Sequence, residues 1–428
     1  MSSDVRLGAG TIAVSPIAGR GSTGPLIDIP DMPGDLLLVE LAPGSEPFNV
    51  AAPEWNDYSD RLYSVTVHRG RGIETSQHDV SSATFVMDNR DRALDSWHST
   101  LGMNTPMRVS VVADSTVVQL WEGFLDGAGL SFGFPSLHDI TAKGTDGLRY
   151  LARDEVDAHS WTDGDLTSVV ITDYLDGLGW PAGKRSIDVG ERGVDNNAAA
   201  FTYSGNGKEF VNLVVATEGP KAARFINRLG EFVFRNRSAI VTDTRSTTRQ
   251  LTFTNLPNPA VDIAGFSGEF VRYESISAGL NAGTLYNKAT VNRPIAGTTF
   301  TASDATSITD NGPLTVTHTG WYNDAVAPQA DADELVALYK TAEPRITGLT
   351  TGQCDDNAAF KALVELELGD RVRVVHRMPG LGADVVGTPV DVDLIVEGFT
   401  YSISKGEGGS RFIADFRFAD AAKFDALP

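Results

Sequence analysis

The histidines are the first residues to consider for catalysis or metal binding, because imidazole is both a general base and a common metal ligand. They are scattered along the chain, with no HExxH motif and no pair three to five residues apart. This spacing disfavours a metal site, and we expect each to be a surface or half-buried strand residue. The seven are His68, His78, His98, His138, His159, His318 and His376.

Two further patterns bear on nucleotide and thiol chemistry. The stretch Ser204-Gly-Asn-Gly-Lys208 superficially resembles a phosphate-binding loop. The upstream glycine at the required spacing is missing, however, and neither Ser nor Thr follows Lys208. The single cysteine, Cys354, excludes an internal disulfide, a Cys-rich zinc site and an iron-sulfur cluster within one chain. We therefore expect no catalytic residue, no cofactor and no metal.

An acidic stretch beginning at Asp88-Asn-Arg-Asp91 resembles a calcium-binding loop. It has Ala93 at the sixth position, where glycine is required, and Ser99 at the twelfth, where glutamate is required. A turn between strands is the favoured interpretation. Carboxylate pairs for glycoside hydrolysis remain open, because the chain has 56 acidic residues and their separations cannot be read from sequence.

The tryptophans could stack on sugar rings, which leaves open a glycan-active enzyme or a lectin-like β-rich protein. Their even spread is more typical of cores and subunit contacts. They are Trp55, Trp97, Trp121, Trp161, Trp180 and Trp321.

Length and charge limit the classes of function. A chain of 428 residues exceeds the ~250 to 300 residues at which single cores stop growing, so two to four domains are expected. A net charge of -21 disfavours a protein that wraps nucleic acid or binds an anionic membrane. No apolar run approaches the ~20 residues that span a bilayer, so we expect synthesis in the cytoplasm and no membrane span.

Five segments are predicted, with mainly β structure and α+β insertions. Residues 1–35 read as an extended arm rich in Gly, Pro, Ser and Asp. Residues 36–147 are predicted to form an antiparallel β-barrel domain, in which Ala113 to Thr116 link the clearest hairpin. The predicted strands are Leu36 to Leu41, Tyr63 to His68, Ala83 to Met87, Met107 to Val112, Val117 to Trp121 and His138 to Ala142.

Residues 148–245 are predicted to be an α+β domain. Apolar residues at helical spacing predict helices at Thr167 to Leu178 and Lys208 to Glu218. A hairpin follows, whose Phe225, Phe232 and Phe234 are expected to pack on the second helix.

The remaining residues form two predicted domains. Residues 246–361 are predicted to form an irregular β-rich domain with one helix, Asp331 to Thr341. Residues 362–428 are predicted to form a second β-barrel. Two tube-like barrels are thus expected on either side of a middle part with both α and β structure. Its predicted strands are Leu363 to Leu368, Arg371 to His376, Leu394 to Lys405 and Arg411 to Phe418.

The order of these segments resembles that of tail-tip hub proteins of long-tailed bacteriophages, also called baseplate hub or minor tail proteins. The likeness rests on four stretches in the first barrel region and four beyond it. They are Tyr63 to Gly72, Ser82 to Asp95, Thr105 to Ser110, Leu120 to Asp126, Lys208 to Arg237, Leu285 to Lys288, Leu368 to Val374 and Ile395 to Phe399. The turn at Ser96-Trp97-His98 departs from the family, which commonly has a proline there.

The resemblance implies a structural virion protein at the tail tip. Such hubs form a homotrimeric ring with two β-barrels per chain, which continues the tail-tube channel and adapts sixfold to threefold symmetry. The implied partners are the distal tail or tail-tube protein, the tape measure protein and tail fibre or receptor-binding proteins. DNA passes through during genome ejection without specific binding, and we expect the acidic excess to face it. A distal tail or receptor-binding subunit of the same tail is the other alternative.

Overall fold

The computed structural model describes most of the chain. The described residues are 4–7, 10–13, 27–28, 37–45, 53–71, 77–91, 94, 102–133, 137–196, 201–256, 259–263, 266–280, 285–341, 344–354, 356–376, 390–406 and 409–425. Within these residues, no helix is long and apolar enough to cross a membrane.

The described residues contain 26 strands and ten α-helices. The strands are β1 (Asp4–Leu7), β2 (Gly10–Ala13), β3 (Ile27–Asp28), β4 (Leu37–Leu41), β5 (Asn56–Asp57), β6 (Leu62–Gly70), β7 (Ser82–Asp88), β8 (Pro106–Ala113), β9 (Thr116–Gly133), β10 (Leu137–Thr145), β11 (Glu155–His159), β12 (Arg185–Ile187), β13 (Tyr203–Asn206), β14 (Ala223–Ile226), β15 (Phe232–Arg235), β16 (Arg249–Thr254), β17 (Phe270–Arg272), β18 (Ser275–Leu280), β19 (Lys288–Arg293), β20 (Thr298–Ser303), β21 (Thr315–Thr319), β22 (Pro344–Thr351), β23 (Gln353–Cys354), β24 (Arg371–His376), β25 (Val390–Gly406) and β26 (Gly409–Asp420). The helices are α1 (Leu148–Arg153), α2 (Thr167–Gly177), α3 (Gly207–Thr217), α4 (Ala239–Thr242), α5 (Thr244–Thr247), α6 (Pro259–Asp262), α7 (Ala305–Asn311), α8 (Val326–Tyr339), α9 (Asn357–Val364) and α10 (Ala421–Asp425).

One 16-stranded sheet, the main sheet, connects the first and last β-rich regions of the chain. Its main path runs β3-β23-β17-β16-β24-β25-β6-β7-β10-β9-β8-β4-β5, and β26, β22 and β18 extend from β25. The mainly β class with helical insertions is therefore confirmed. The described strands do not close into a barrel, because the path is open at both ends.

The connection between the two regions is the antiparallel pairing of β6 with β25. Gly70 lies directly opposite Gly398 in this register. Gly70 has a φ of +110°, and a Cβ there would lie 2.3 Å from the Cα of Gly398. Glycine is therefore required for the close approach of these two strands.

The predicted hairpin between β8 and β9 is confirmed. Its two-residue turn is Asp114-Ser115, with φ values of 49° and 59°. Positive φ at both central positions is typical of the turn whose twist matches a β-hairpin, and Asp tolerates it better than most residues.

A single hydrophobic core lies against the main sheet. It combines Phe85 and Trp121 from the first β-rich region with Phe399 and Phe416 from the last. Helix α9 contributes Phe360 and Leu363 to the same core. The apolar residues that alternate along the strands of both regions therefore pack into one shared core.

The two helices and the hairpin predicted in residues 148–245 are confirmed as α2, α3 and β14–β15. Phe232 and Phe234 pack in a second core together with Phe210 of α3. The expectation for Phe225 is wrong, because it points to the other side of the strand and joins the core of the main sheet.

A third core belongs to residues 285–341, where α8 packs on the small sheet β20-β19-β21. Helix α8 begins five residues before the predicted Asp331. Asp324 Oδ1 accepts hydrogen bonds from Val326 N and Ala327 N at 2.7 and 2.8 Å. Pro328 lies in the first turn, where no backbone donor is needed. The range 246–361 also contains the shorter helices α6 and α7, which the sequence does not predict.

The strand predicted at Leu363 to Leu368 is wrong. Helix α9 ends at Val364 and a loop follows to β24. Asp356 accepts a hydrogen bond from Ala359 N at 2.8 Å, so a capped helix begins just before the apolar run. Periodicity cannot separate a short buried helix from a buried strand in such a run.

Candidate functional site

The histidines take up separate structural positions. His68 Nδ1 lies 2.9 Å from Thr400 Oγ1, and His318 Nε2 lies 2.8 Å from Ala216 O. His78 is buried against Phe225, and burial lowers its pKa well below the usual value. Within the described part of the chain, no group of three or more His, Cys, Asp or Glu could hold a metal ion. His98 lies outside the described residues.

Four of the six tryptophans lie in cores and are not available to stack on sugars. Trp121, Trp161, Trp180 and Trp321 are buried. Trp55 is half-buried beneath the guanidinium of Arg108, whose Cζ lies 4.4 Å from the ring centroid. Trp97 lies outside the described residues.

The described residues of the calcium-like stretch, 88–91 and 94, form a turn at the end of β7. Asp88 Oδ1 accepts a hydrogen bond from Arg90 N at 2.8 Å, and Asn89 Oδ1 accepts one from Leu94 N at 2.9 Å. These side chains therefore satisfy backbone donors of their own turn. Ala93 and Ser99 lie outside the described residues.

The phosphate-loop-like stretch is the start of α3. Asn206 Oδ1 accepts hydrogen bonds from Lys208 N and Glu209 N at 3.0 and 3.3 Å. The backbone donors that a phosphate would use are therefore already capped.

The stretch Gly129 to Gly133 also fits the GxSxG pattern of a hydrolase nucleophile. It lies inside β9 and pairs with β10. A nucleophile elbow requires a sharp turn between a strand and a helix, so this position lacks the necessary backbone. Cys354 is likewise structural, because it is buried on β23.

The structure also assembles an arginine-carboxylate cleft between the main sheet and hairpin β14–β15. Arg69, 1% exposed, pairs with Glu367 at 2.5 Å and donates to Ile226 O at 2.7 Å. The same Glu367 accepts a hydrogen bond from Arg228 N at 2.9 Å. The other pairs are Arg71 with Glu397 and Arg245 with Asp370.

This cleft encloses a cavity of about 70 Å³. Ligand sites usually have at least ~300 Å³, and the carboxylates that line the cavity are already paired with arginines. The ion pairs of the cleft therefore stabilise the contact between the hairpin and the main sheet. The cavity is too small for a typical ligand. The sequence gives no sign of these pairs, since Arg69 and Glu367 are 298 residues apart.

Asp146, 1% exposed, lies between the end of β10 and the start of α1. It accepts hydrogen bonds from Ser81 N at 2.8 Å and Leu148 N at 2.9 Å. Burial raises its pKa from 3.8 to about 6, although these hydrogen bonds oppose the shift.

A folded-state pKa above the ordinary value means that the folded protein binds this proton more tightly than the unfolded chain. We expect the Asp146 contribution to stability to rise as the pH falls from 7 toward 4, by up to about 3 kcal/mol. Urea unfolding at pH 7, 6, 5 and 4 would measure it as the difference between the native protein and Asp146→Asn. The exposed variant Asp157→Asn is the control, and a difference independent of pH would contradict the assignment.

Comparison with known proteins bears on the fold. Neither a family model nor a curated protein matches the sequence. The structure of a tail protein from Neisseria meningitidis MC58 is similar, with a TM-score of 0.56 and 15% identity over 92% of this chain and 99% of that one. The 43 kDa tail protein of prophage MuSo2 from Shewanella oneidensis has a TM-score of 0.52 and 10% identity, over 91% of this chain and 100% of that one. The resemblance noted in the sequence is thus confirmed at the level of the fold: this chain has the fold of these two tail proteins.

Proposed function

We propose that the chain is the hub subunit of the tail tip of a long-tailed phage. The observation that carries the proposal is a likeness to two tail proteins that extends over more than nine tenths of the chain. Three copies form a ring that continues the tail-tube channel and adapts its sixfold symmetry to a threefold tip. A closed cyclic ring satisfies the head-to-tail contacts of such an assembly.

The role is structural and not enzymatic in this proposal. The main sheet supports it, because two β-rich regions joined edge to edge form one continuous sheet with one shared core. The neighbours in the particle are the distal tail or tail-tube protein, the tape measure protein and the tail fibre or receptor-binding proteins. The chain is made in the host cytoplasm, and the ring stays at the virion tail tip while DNA is ejected. The lectin-like alternative loses its main support, because four of the six tryptophans are buried.

We expect three copies of the chain at the tail tip. A symmetry-free averaged reconstruction of virion tails, combined with gold labelling of this chain, would count and locate them. Three copies at the distal end would support the hub, whereas one copy or six would contradict it. Label along the tail or on the fibres would favour the distal-tail or receptor-binding alternative.

A further inference from the structure

An open groove lies between helix α2 and strand β12. Strand β12 pairs on one side with β15, which in turn pairs with β14, so among the described residues the other edge of β12 has no neighbouring strand. Helix α2 lies beside this free edge. The groove between them has a volume of about 280 Å³ and is lined by Ser168, Val169, Thr172 and Asp173 of α2 and by residues 187–189.

The edge of β12 presents backbone groups to the groove. Asp188 N donates a hydrogen bond to Phe234 O at 3.0 Å. Because alternate residues of a strand direct their N–H and C=O groups to the same side, those of Ile187 point away from β15. None of the described residues forms a backbone hydrogen bond with Ile187 on that side. Such an edge is a template to which a further strand can pair.

Aliphatic side chains at the groove are exposed to water. Val189 is 73% exposed and Val169 is 43% exposed, and Leu166, one helical turn before Val169, is 36% exposed. The fold does not require them at this surface, because the opposite face of α2 supplies Val170 and Ile171 to the second core. Exposed apolar residues that cluster in this way are typical of a surface that binds a partner.

The charge of the groove favours a cation in that partner. No Lys or Arg is among the lining residues. Asp188 is paired with Arg235 at 3.5 Å and accepts a hydrogen bond from Asn236 N at 3.3 Å. Asp173, in contrast, is exposed and has no ion pair among the described residues. A Lys or Arg in a bound segment would be attracted to Asp173, and an acidic segment would be repelled.

We propose that this groove binds an extended segment of a partner protein, which adds to the sheet as a strand beside β12. An aliphatic side chain of the segment packs between Val169 and Val189, and the next side chain on the same face is a Lys or Arg that faces Asp173. The spacing fits, since Val169 and Asp173 are ~6 Å apart along the helix and alternate residues of a strand are ~6.6 Å apart.

Backbone hydrogen bonds to Ile187 align the segment, and its two inward side chains select it. The inference goes beyond the hub function and does not depend on it, because the groove belongs to a single chain.

Binding of two synthetic peptides to the purified full chain tests the proposal. The probe is a fluorescein-labelled heptapeptide, Thr-Val-Thr-Lys-Thr-Val-Thr, and its matched control has Glu in place of Lys. We expect fluorescence polarisation to show saturable binding of the Lys peptide, at least tenfold tighter than that of the Glu peptide. The variant Asp173→Lys should reverse this preference, which a loss of folding could not do.

The apolar contact is tested without a change of charge. Val169→Ser/Val189→Ser should weaken binding of the Lys peptide at least tenfold. The matched control is Val261→Ser/Val326→Ser, at two valines that are each 77% exposed outside the groove, and it should bind like the native chain.

Methylation of the peptide backbone tests strand addition. Only one of the two alternate sets of amide groups in the peptide faces β12, so N-methylation of one set should abolish binding and N-methylation of the other should not. The same effect from both sets would overturn the proposal, as would no saturation up to about 1 mM peptide or no reversal in Asp173→Lys. Self-association of the native chain that is lost in Val169→Ser/Val189→Ser would make a second copy the occupant and also overturn it. The hub proposal is decided separately, by the number of copies in the tail.

Discussion

Truncation of Phe416 to alanine should lower the free energy of unfolding by about 3 to 5 kcal/mol. Phe416 is 1% exposed in the centre of the main core. Its ring centroid lies 5.3 Å from that of Phe253 and 6.0 Å from that of Phe418. Removing the ring leaves a cavity that neighbouring aromatic residues, held on three different strands, cannot fill without moving the sheet.

The loss should extend beyond β26. Because β25 pairs with both β26 and β6 and the core is continuous, we expect the two β-rich regions to unfold as one unit. Hydrogen exchange followed by mass spectrometry should show faster exchange in β7 to a similar degree as in β26. Native protection of β7 in Phe416→Ala would mean that the regions are independent domains.

Ile413→Ala is the matched control for this experiment. Ile413 is on the same strand but half-buried, between the buried residues Phe412 and Ala414. It should cost about 1 kcal/mol or less. A loss comparable to that of Phe416→Ala would argue against the assigned direction of the side chains on β26.

Because the two β-rich regions share one core, a carboxy-terminal deletion would affect the whole fold. Removing residues 363–428 would delete β24, β25 and β26, which connect the two halves of the main sheet. The expected result is loss of the whole fold, so absence of tail tips after such a deletion would say little about ring assembly. Point variants on exposed faces are the better probes of assembly.

Local patterns in the sequence were sufficient to predict nine of the 16 strands of the main sheet. Alternation between apolar and polar residues predicts β4, β6, β7, β8 and β24 within one or two residues at each end, because one face of each strand is buried. It fails where a run is too short to show a period, as at Leu363 to Leu368.

Strand partners could not be predicted in the same way. The pairing of β6 with β25 joins residues more than 300 positions apart, and β16 pairs in parallel with β24. Such contacts depend on which strand edges remain free after local hairpins form, and the sequence does not encode this within any short window. The charged pairs of the arginine-carboxylate cleft were missed for the same reason.

Replacement of Asp331 by alanine is the second change with a large expected effect, because it leaves a buried cation unpaired. Asp331 is fully buried on α8. Its carboxylate accepts hydrogen bonds from both terminal nitrogens of Arg192, at 2.6 and 2.7 Å, and from Tyr322 Oη at 2.7 Å. Arg192 lies between α2 and α3, which contribute to the second core, and Asp331 lies on α8, which contributes to the third. This network therefore connects the second and third cores. We expect Asp331→Ala to lower the free energy of unfolding, measured in urea, by about 3 to 5 kcal/mol.

A double replacement separates the cost of an unpaired charge from the value of the pair. A buried ion pair is often no more stabilising than apolar residues of similar size, since both ions lose hydration. Arg192→Met/Asp331→Leu should therefore recover at least half of the stability that Asp331→Ala loses. Asp333→Ala, exposed on the same helix and hydrogen-bonded to Gln329, should stay within about 0.5 kcal/mol of the native protein. If the double variant is less stable than Asp331→Ala, the pair itself contributes the stability, and the junction depends on charge pairing more than on packing.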